Sequence, residues 1–131
     1  MTFMANHISV SIERCAAEVY EFASNPENLP QWAGGLSGSI KKVDDEWIAE
    51  APMGTVKITF AEKNKFGILD HGVTLSSGTK FYNPMRVFPN NDGSEVIFTL
   101  YRQAGMSDQK FADDAGSVER DLNKLKTLLE K

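Results

Sequence analysis

Residues 8–35, ISVSIERCAAEVYEFASNPENLPQWAGG, change hydrophobic period within a few residues, and that change decides the fold class. Ile8, Val10 and Ile12 alternate with serines, which predicts a strand over 7–12 with one apolar face. From about 15 to 24 the spacing becomes helical, with Ala16, Val19, Tyr20 and Ala23 on one side. Asn25-Pro26 ends that helix, because the residue before a proline avoids the helical region. The next segment, 26–33, predicts a second short helix with Pro26 in its first turn and Gly34-Gly35 as its stop. A strand, two short helices and then a long run of strands is an α+β order.

From 36 to about 103 the chain reads as strands and turns. Trp47, Ala49 and Ala51 alternate against Glu46, Ile48 and Glu50, and Val56, Ile58 and Phe60 alternate against Thr55, Lys57 and Thr59. Phe81, Met85 and Val87 make a third apolar row, and Val96, Phe98 and Leu100 a fourth that ends at Arg102. Turn chemistry lies between them at Asp44-Asp45, Pro52-Met53-Gly54, 64–67, Ser77-Gly78 and 90–93. The pattern predicts an antiparallel meander. The chain then closes with an amphipathic helix over about 108–130, whose inner stripe is Phe111, Ala115, Val118, Leu122, Leu125 and Leu129. Ser107 is placed as its N-cap, with Asp108 and the Asp113-Asp114 pair toward its positive end. A meander with one polar face must bury the other, and this helix is long enough to cover it.

At 131 residues with 41% apolar content, the chain supports one core, so residues 1–131 are expected to form a single domain. Its net charge of -4 arises from 18 acidic and 14 basic residues with no basic run, which argues against nucleic acid as a partner. One cysteine, Cys15, cannot form an internal disulfide, and at the start of the first helix it reads as a small packing residue. No Cys/His cluster has metal-ligand spacing, so no metal is expected. The opening MTFMANHISV lacks the basic-then-apolar pattern of a signal peptide, and no apolar stretch approaches the ~20 residues of a membrane span. The expectation is a cytoplasmic protein, monomer or homodimer.

Within this frame one polar group stands out. In Leu69-Asp70-His71-Gly72-Val73-Thr74-Leu75 the imidazole falls on the apolar side with Leu69, Val73 and Leu75. Asp70 points to the other face, so Asp70-His71 is not a catalytic dyad. A four-residue loop at 64–67 sets Phe60 opposite His71. A three-residue loop at 76–78, with Gly78 left-handed, sets His71 against Asn83 and Val73 against Phe81. A two-residue Ser77-Gly78 loop would instead set His71 against Pro84. The longer loop is preferred because it keeps Phe81, Met85 and Val87 inside. A loop at 90–93 then pairs Val87 with Val96 and Asn83 with Leu100, giving an inward row of Phe60, His71, Asn83 and Leu100. Two polar groups in such a row need partners, since each left unpaired costs about 1–3 kcal/mol.

The opening 8–35, the meander, and the closing DLNKLKTLLEK (121–131) together resemble the START-like, or SRPBCC, superfamily, whose fold is the helix-grip. The chain looks like its short bacterial members described as polyketide cyclases or dehydrases. The resemblance implies a curved antiparallel sheet of about seven strands wrapped around a long C-terminal helix, with two short helices after the first strand. It also implies a cavity between sheet and C-terminal helix that binds a small hydrophobic molecule, lipid- or polyketide-like. Tyr82, Pro84, Met85 and Arg86, in FYNPMRVFPNNDG, resemble a subgroup feature to which no reaction attaches. No iron, flavin or nicotinamide motif is present, so no cofactor is expected.

The candidate ligand-binding residues follow. Phe60, Phe81, Met85 and Phe98 would wall the cavity, with Trp47 a further aromatic; Trp32, beside Gly34-Gly35, would sit at its mouth. His71 and Asn83 would orient a polar ligand atom, and Arg102 would anchor a carboxylate or phosphate head group. Three roles are open for His71: an interior histidine bonded to Asn83 or the backbone, a ligand contact, or a catalytic acid/base. In the last case the protein is a cofactor-independent cyclase/dehydratase in which Asn83 holds an enolate oxygen and Asp114 or Glu119 is the nearest second acid. A third reading, a protein-interaction module, predicts an exposed apolar patch. The stretch 34–38 lacks the lysine and the strand-then-helix context of a phosphate loop.

Overall fold

A computed structural model describes residues 1–35, 39–52 and 54–131. Leu36, Ser37, Gly38 and Met53 lie outside the described residues, and with them part of the glycine-rich stretch at 34–38 and the middle of the Pro52-Met53-Gly54 turn. The order is β1 (Ala5–Ile12), α1 (Ala16–Ala23), a 3-10 turn (Pro26–Asn28), α2 (Leu29–Trp32), β2 (Ile40–Val43), β3 (Glu46–Ala51), β4 (Gly54–Phe60), β5 (His71–Leu75), β6 (Lys80–Asn83), β7 (Met85–Asn90), β8 (Gly93–Tyr101) and α3 (Asp108–Leu129). The Asn25 side chain takes the Glu27 N–H at the first break, and Ser107 caps α3 by accepting from Lys110 N at 3.0 Å.

All strand pairs are antiparallel, in two sheets ordered β1-β8-β7 and β2-β3-β4-β5-β6. Phe60 opposes His71, His71 opposes Asn83, Val73 opposes Phe81 and Val87 opposes Val96, as the loop lengths require. Gly78 takes the left-handed conformation at φ +93°, and Asp44 and Asp45 both have positive φ in their two-residue turn. The turn at 64–67 is held by Asn64, whose Oδ1 accepts from the Phe66 and Ile68 N–H groups.

Among the described residues the strand count of about seven becomes eight, for two reasons. β2 is a short edge strand whose IKKV carries lysines rather than an apolar alternation. The row expected over Phe81 to Val87 is split at Pro84, which has no N–H to give the ladder. Pro84 O still accepts from Thr99 N at 2.9 Å, but the β7–β8 pairing begins at Met85 and Phe98, so Asn83 does not pair with Leu100.

Asp70 splices the two sheets across this break. Its Oδ2 accepts from Tyr82 OH (2.6 Å), its Oδ1 accepts from Met85 N (2.8 Å), and Arg86 pairs with it. Beside it, Leu69 N donates to Met85 O and Val87 N to Gly67 O. Gly67 has φ +75° and lies so close to Val87 O that a Cβ there would overlap it.

The main core joins β1, α1, Trp32, β7, β8 and α3, with Val19, Val96 and Leu125 wholly enclosed. Each fully buried leucine of α3, Leu122 and Leu125, contributes about 1.5–3 kcal/mol. A smaller cluster of Ala49, Val56 and Ile58 lies on the second sheet. Cys15, expected to pack, is instead exposed.

Asp121 ties α3 to the segment after α2, its Oδ1 accepting from Gly34 N at 3.0 Å. Burial raises its pKa, opposed by that hydrogen bond and by Lys124 and Arg120. A raised carboxylate pKa means the folded state binds the proton more tightly, so ionisation costs stability as pH rises above 3.8. Asp121→Asn keeps an acceptor for Gly34 without a charge to desolvate. Its melting temperature should equal or exceed wild type at pH 7, with the difference vanishing near pH 3, as read by thermal unfolding at both pH values.

Candidate functional site

A cavity of about 630 Å³ opens between α1, the 3-10 turn and α2 on one side and β3 to β5 on the other. Its volume falls in the range of small-molecule sites. Period-two alternation places Ile58 and Phe60 of β4 on its floor, with Trp47 opposite Ile58. Leu29 and Trp32 close the helical side, and Leu69, His71 and Met85 the far wall. None of the described residues of α3 lines it, which corrects the expected placement between sheet and C-terminal helix. The physical reason is that Leu122 and Leu125 pack directly into the main core and fill that space.

The aromatic groups form a chain. Trp47 meets Phe60 edge-on with centroids 6.5 Å apart, Phe60 lies 6.5 Å from the His71 ring, and His71 stands edge-on to Phe98 at 5.7 Å. His71 Nδ1 lies 3.1 Å from Leu69 O. A carbonyl oxygen only accepts, so Nδ1 carries the proton and the neutral ring has its lone pair on Nε2. Burial lowers the His71 pKa, while the Leu69 bond and the charge of Asp70 act in the opposite direction.

The other expected residues divide by position. Trp32, Trp47, Phe60 and Met85 line the cavity with His71. Asn83 sits opposite His71 in register, but no hydrogen bond joins their side chains. Asn83, Phe81 and Phe98 are not among the lining residues, Phe98 being buried behind the His71 ring. Arg102 is spent elsewhere: Nε and Nη2 donate to Met106 O at 3.0 and 2.9 Å, and Nη1 pairs with Asp108 at 2.5 Å. It clips the 103–107 connection to the start of α3 rather than standing at the cavity. Asp114 pairs with Lys110 at 2.7 Å and does not line the cavity, nor does Glu119.

Sequence reasoning missed the mouth. Tyr20, readable only as part of the inner face of α1, accepts from Asn64 N at 2.8 Å through its hydroxyl. Lys63 lies 5.3 Å from the centre of its ring, pairing with Glu21 at 3.0 Å. These contacts hold the β4–β5 connection against α1 at the cavity edge. Trp32 is 5% exposed and its Nε1 has no hydrogen-bond partner. Among the described residues no group of acidic, histidine or cysteine side chains could hold a metal ion, and no helix is long and apolar enough to cross a membrane.

By sequence, no protein-family description and no curated protein matches the chain. Solved structures do match. An uncharacterized protein from Bacillus thuringiensis superposes with a TM-score of 0.77 at 16% identity, over 98% of this chain and 100% of that one. The two-domain ARO/CYC protein BexL of the BE-7585A biosynthetic pathway gives 0.75 at 15% identity, over 97% of this chain and 46% of BexL. Ara h 8.0201 gives 0.73 at 12% identity, over 96% and 97%. At such identities the likeness speaks for architecture alone, and the architecture it shows, a long closing helix on antiparallel sheets with short helices after the first strand, is the helix-grip fold.

Proposed function

We propose that the protein binds a small hydrophobic molecule, lipid- or polyketide-like, in the cavity between its short helices and strands β3 to β5. The observation that carries this reading is a space of about 630 Å³ with Leu29, Trp32, Trp47, Ile58, Phe60 and Met85 among its walls, charged residues such as Lys42, Glu46 and Lys57 around it, and one ring acceptor, His71. The ARO/CYC description of BexL is consistent with it at the level of ligand class. Native mass spectrometry of freshly purified protein, followed by thermal unfolding with a panel of lipophiles, tests it. At 100 times its Kd a ligand stabilises the fold by about 2.7 kcal/mol, a rise in Tm of several degrees. Ala61→Trp, at an exposed position on the cavity wall, should shrink that rise. A protein that carries no small molecule and is shifted by none would defeat the proposal.

The neutral imidazole supports a second reading, a cofactor-independent cyclase or dehydratase in which Nε2 accepts a proton from the bound chain. Equal turnover by wild type and His71→Ala would rule this out.

A further inference from the structure

We propose that the cavity selects its occupant by a hydroxyl: His71 Nε2 accepts a hydrogen bond from a phenolic or alcoholic O–H, so hydroxylated aromatic molecules bind in preference to the corresponding ethers. This rests on the ligand-binding reading above and deepens it by naming the chemical class.

The direction of the hydrogen bond follows from the other side of the ring. Nδ1 lies 3.1 Å from Leu69 O, which can only accept, so Nδ1 holds the ring proton and Nε2 offers a lone pair. No described residue hydrogen-bonds Nε2, and Asn83, the polar neighbour across the strand pair, does not reach it. Among the described residues, the buried side-chain atoms sealed off without a partner are Trp32 Nε1 and Ser94 Oγ. Nε2 is not one of them, and His71 is only half-buried and forms part of the cavity wall.

The surroundings make this acceptor selective. Phe60 and Phe98 flank the ring, and neither offers a donor. Trp32 Nε1 is closed off from the space, and Lys63 at the mouth is already engaged by Glu21 and by the Tyr20 ring. An O–H placed at Nε2 therefore satisfies a lone pair that the protein leaves open beside the Phe60 and Phe98 rings. An ether oxygen there would face another lone pair after losing its own water. A flat aromatic body suits the remaining walls, where Trp47 and Phe60 already meet edge-on and further rings can pack in the same offset manner.

The test compares 2-naphthol with 2-methoxynaphthalene by fluorescence titration at pH 7.5. Wild type should bind 2-naphthol roughly 10- to 100-fold more tightly. In His71→Phe the two affinities should converge while both probes still bind. A readout on wild type alone guards against a variant that fails to fold: the ¹⁵N resonance of His71 Nε2 should move on adding 2-naphthol, with Nδ1 nearly unmoved, and neither should move comparably with the ether. Equal affinities in wild type, or a preference that survives in His71→Phe, would overturn the inference and leave the ligand-binding reading standing. Binding of neither probe would overturn the inference alone, because the ligand-binding reading falls only if native mass spectrometry and the lipophile panel also find nothing.

Discussion

Asp70→Ala is expected to remove about 2–4 kcal/mol of unfolding free energy, a large share of what holds a domain of this size together. The carboxylate is 12% exposed and receives the Met85 N–H, the Tyr82 hydroxyl and the Arg86 guanidinium. The Met85 bond matters most. Met85 follows the proline that interrupts the strand, and without Asp70 its N–H has no carbonyl in place to receive it. An orphaned buried N–H costs about 1–3 kcal/mol, and the lost Tyr82 bond adds about 1 kcal/mol. Arg86 adds less, because its side chain is 42% exposed and water takes over the cation. Asp70→Asn should fall between, since its oxygen can still accept from Met85 N, and Tyr82→Phe should cost about 1 kcal/mol. Urea unfolding at pH 7 measures all three. A loss below about 1 kcal/mol for Asp70→Ala would mean that this carboxylate does not hold the sheets together.

The same residue shows where sequence reading ends. Strand alternation puts Asp70 on the face opposite His71, and it lies there, but an outward aspartate on a strand reads as a solvated side chain. Its partners come from the Tyr82 to Arg86 stretch, brought near by a hairpin, and the need for it arises from a Met85 N–H left without a ladder carbonyl beside Pro84. By contrast the pairing of Phe60, His71 and Asn83 was legible, because loop length and period two determine it locally. Which residues face inward was legible too, but the empty volume was not. The leucines of α3 share one stripe, yet only tertiary packing shows that Leu122 and Leu125 fill their side of the fold while the floor under α1 and α2 stays open. Arg102 fails for a similar reason: its position at a strand end is readable, but Met106 O and Asp108, which take its donors, belong to a turn whose path is not.

Acid should destabilise the wild-type protein below pH 6.5, and His71→Phe should remove much of that loss. The His71 pKa is lowered from its ordinary 6.5 by burial. Below 6.5 the unfolded chain therefore takes up a proton that the folded ring refuses, and stability falls with pH until the folded pKa is reached. The slope contributed by one such group reaches at most about 1.4 kcal/mol per pH unit. The side chains against the ring, Phe60 from β4, Phe98 from β8 and Asn83 from β6, carry no titratable group, which leaves Asp70 as the charge that favours protonation. Glu130, whose pKa is lowered chiefly by Lys126, loses its contribution only as pH drops below 4.5, outside this window. Urea unfolding from pH 7.5 to 5.0 should show the two proteins diverging steadily, with the phenylalanine variant gaining toward acid; parallel curves would mean that the ring titrates alike in both states. A hydroxylated ligand and a proton compete for the same Nε2 lone pair. Affinity for 2-naphthol should therefore hold through the window in which the wild type loses stability, where the folded ring is still neutral, and fall only as pH drops to the folded pKa below it, whereas affinity for the ether should not fall.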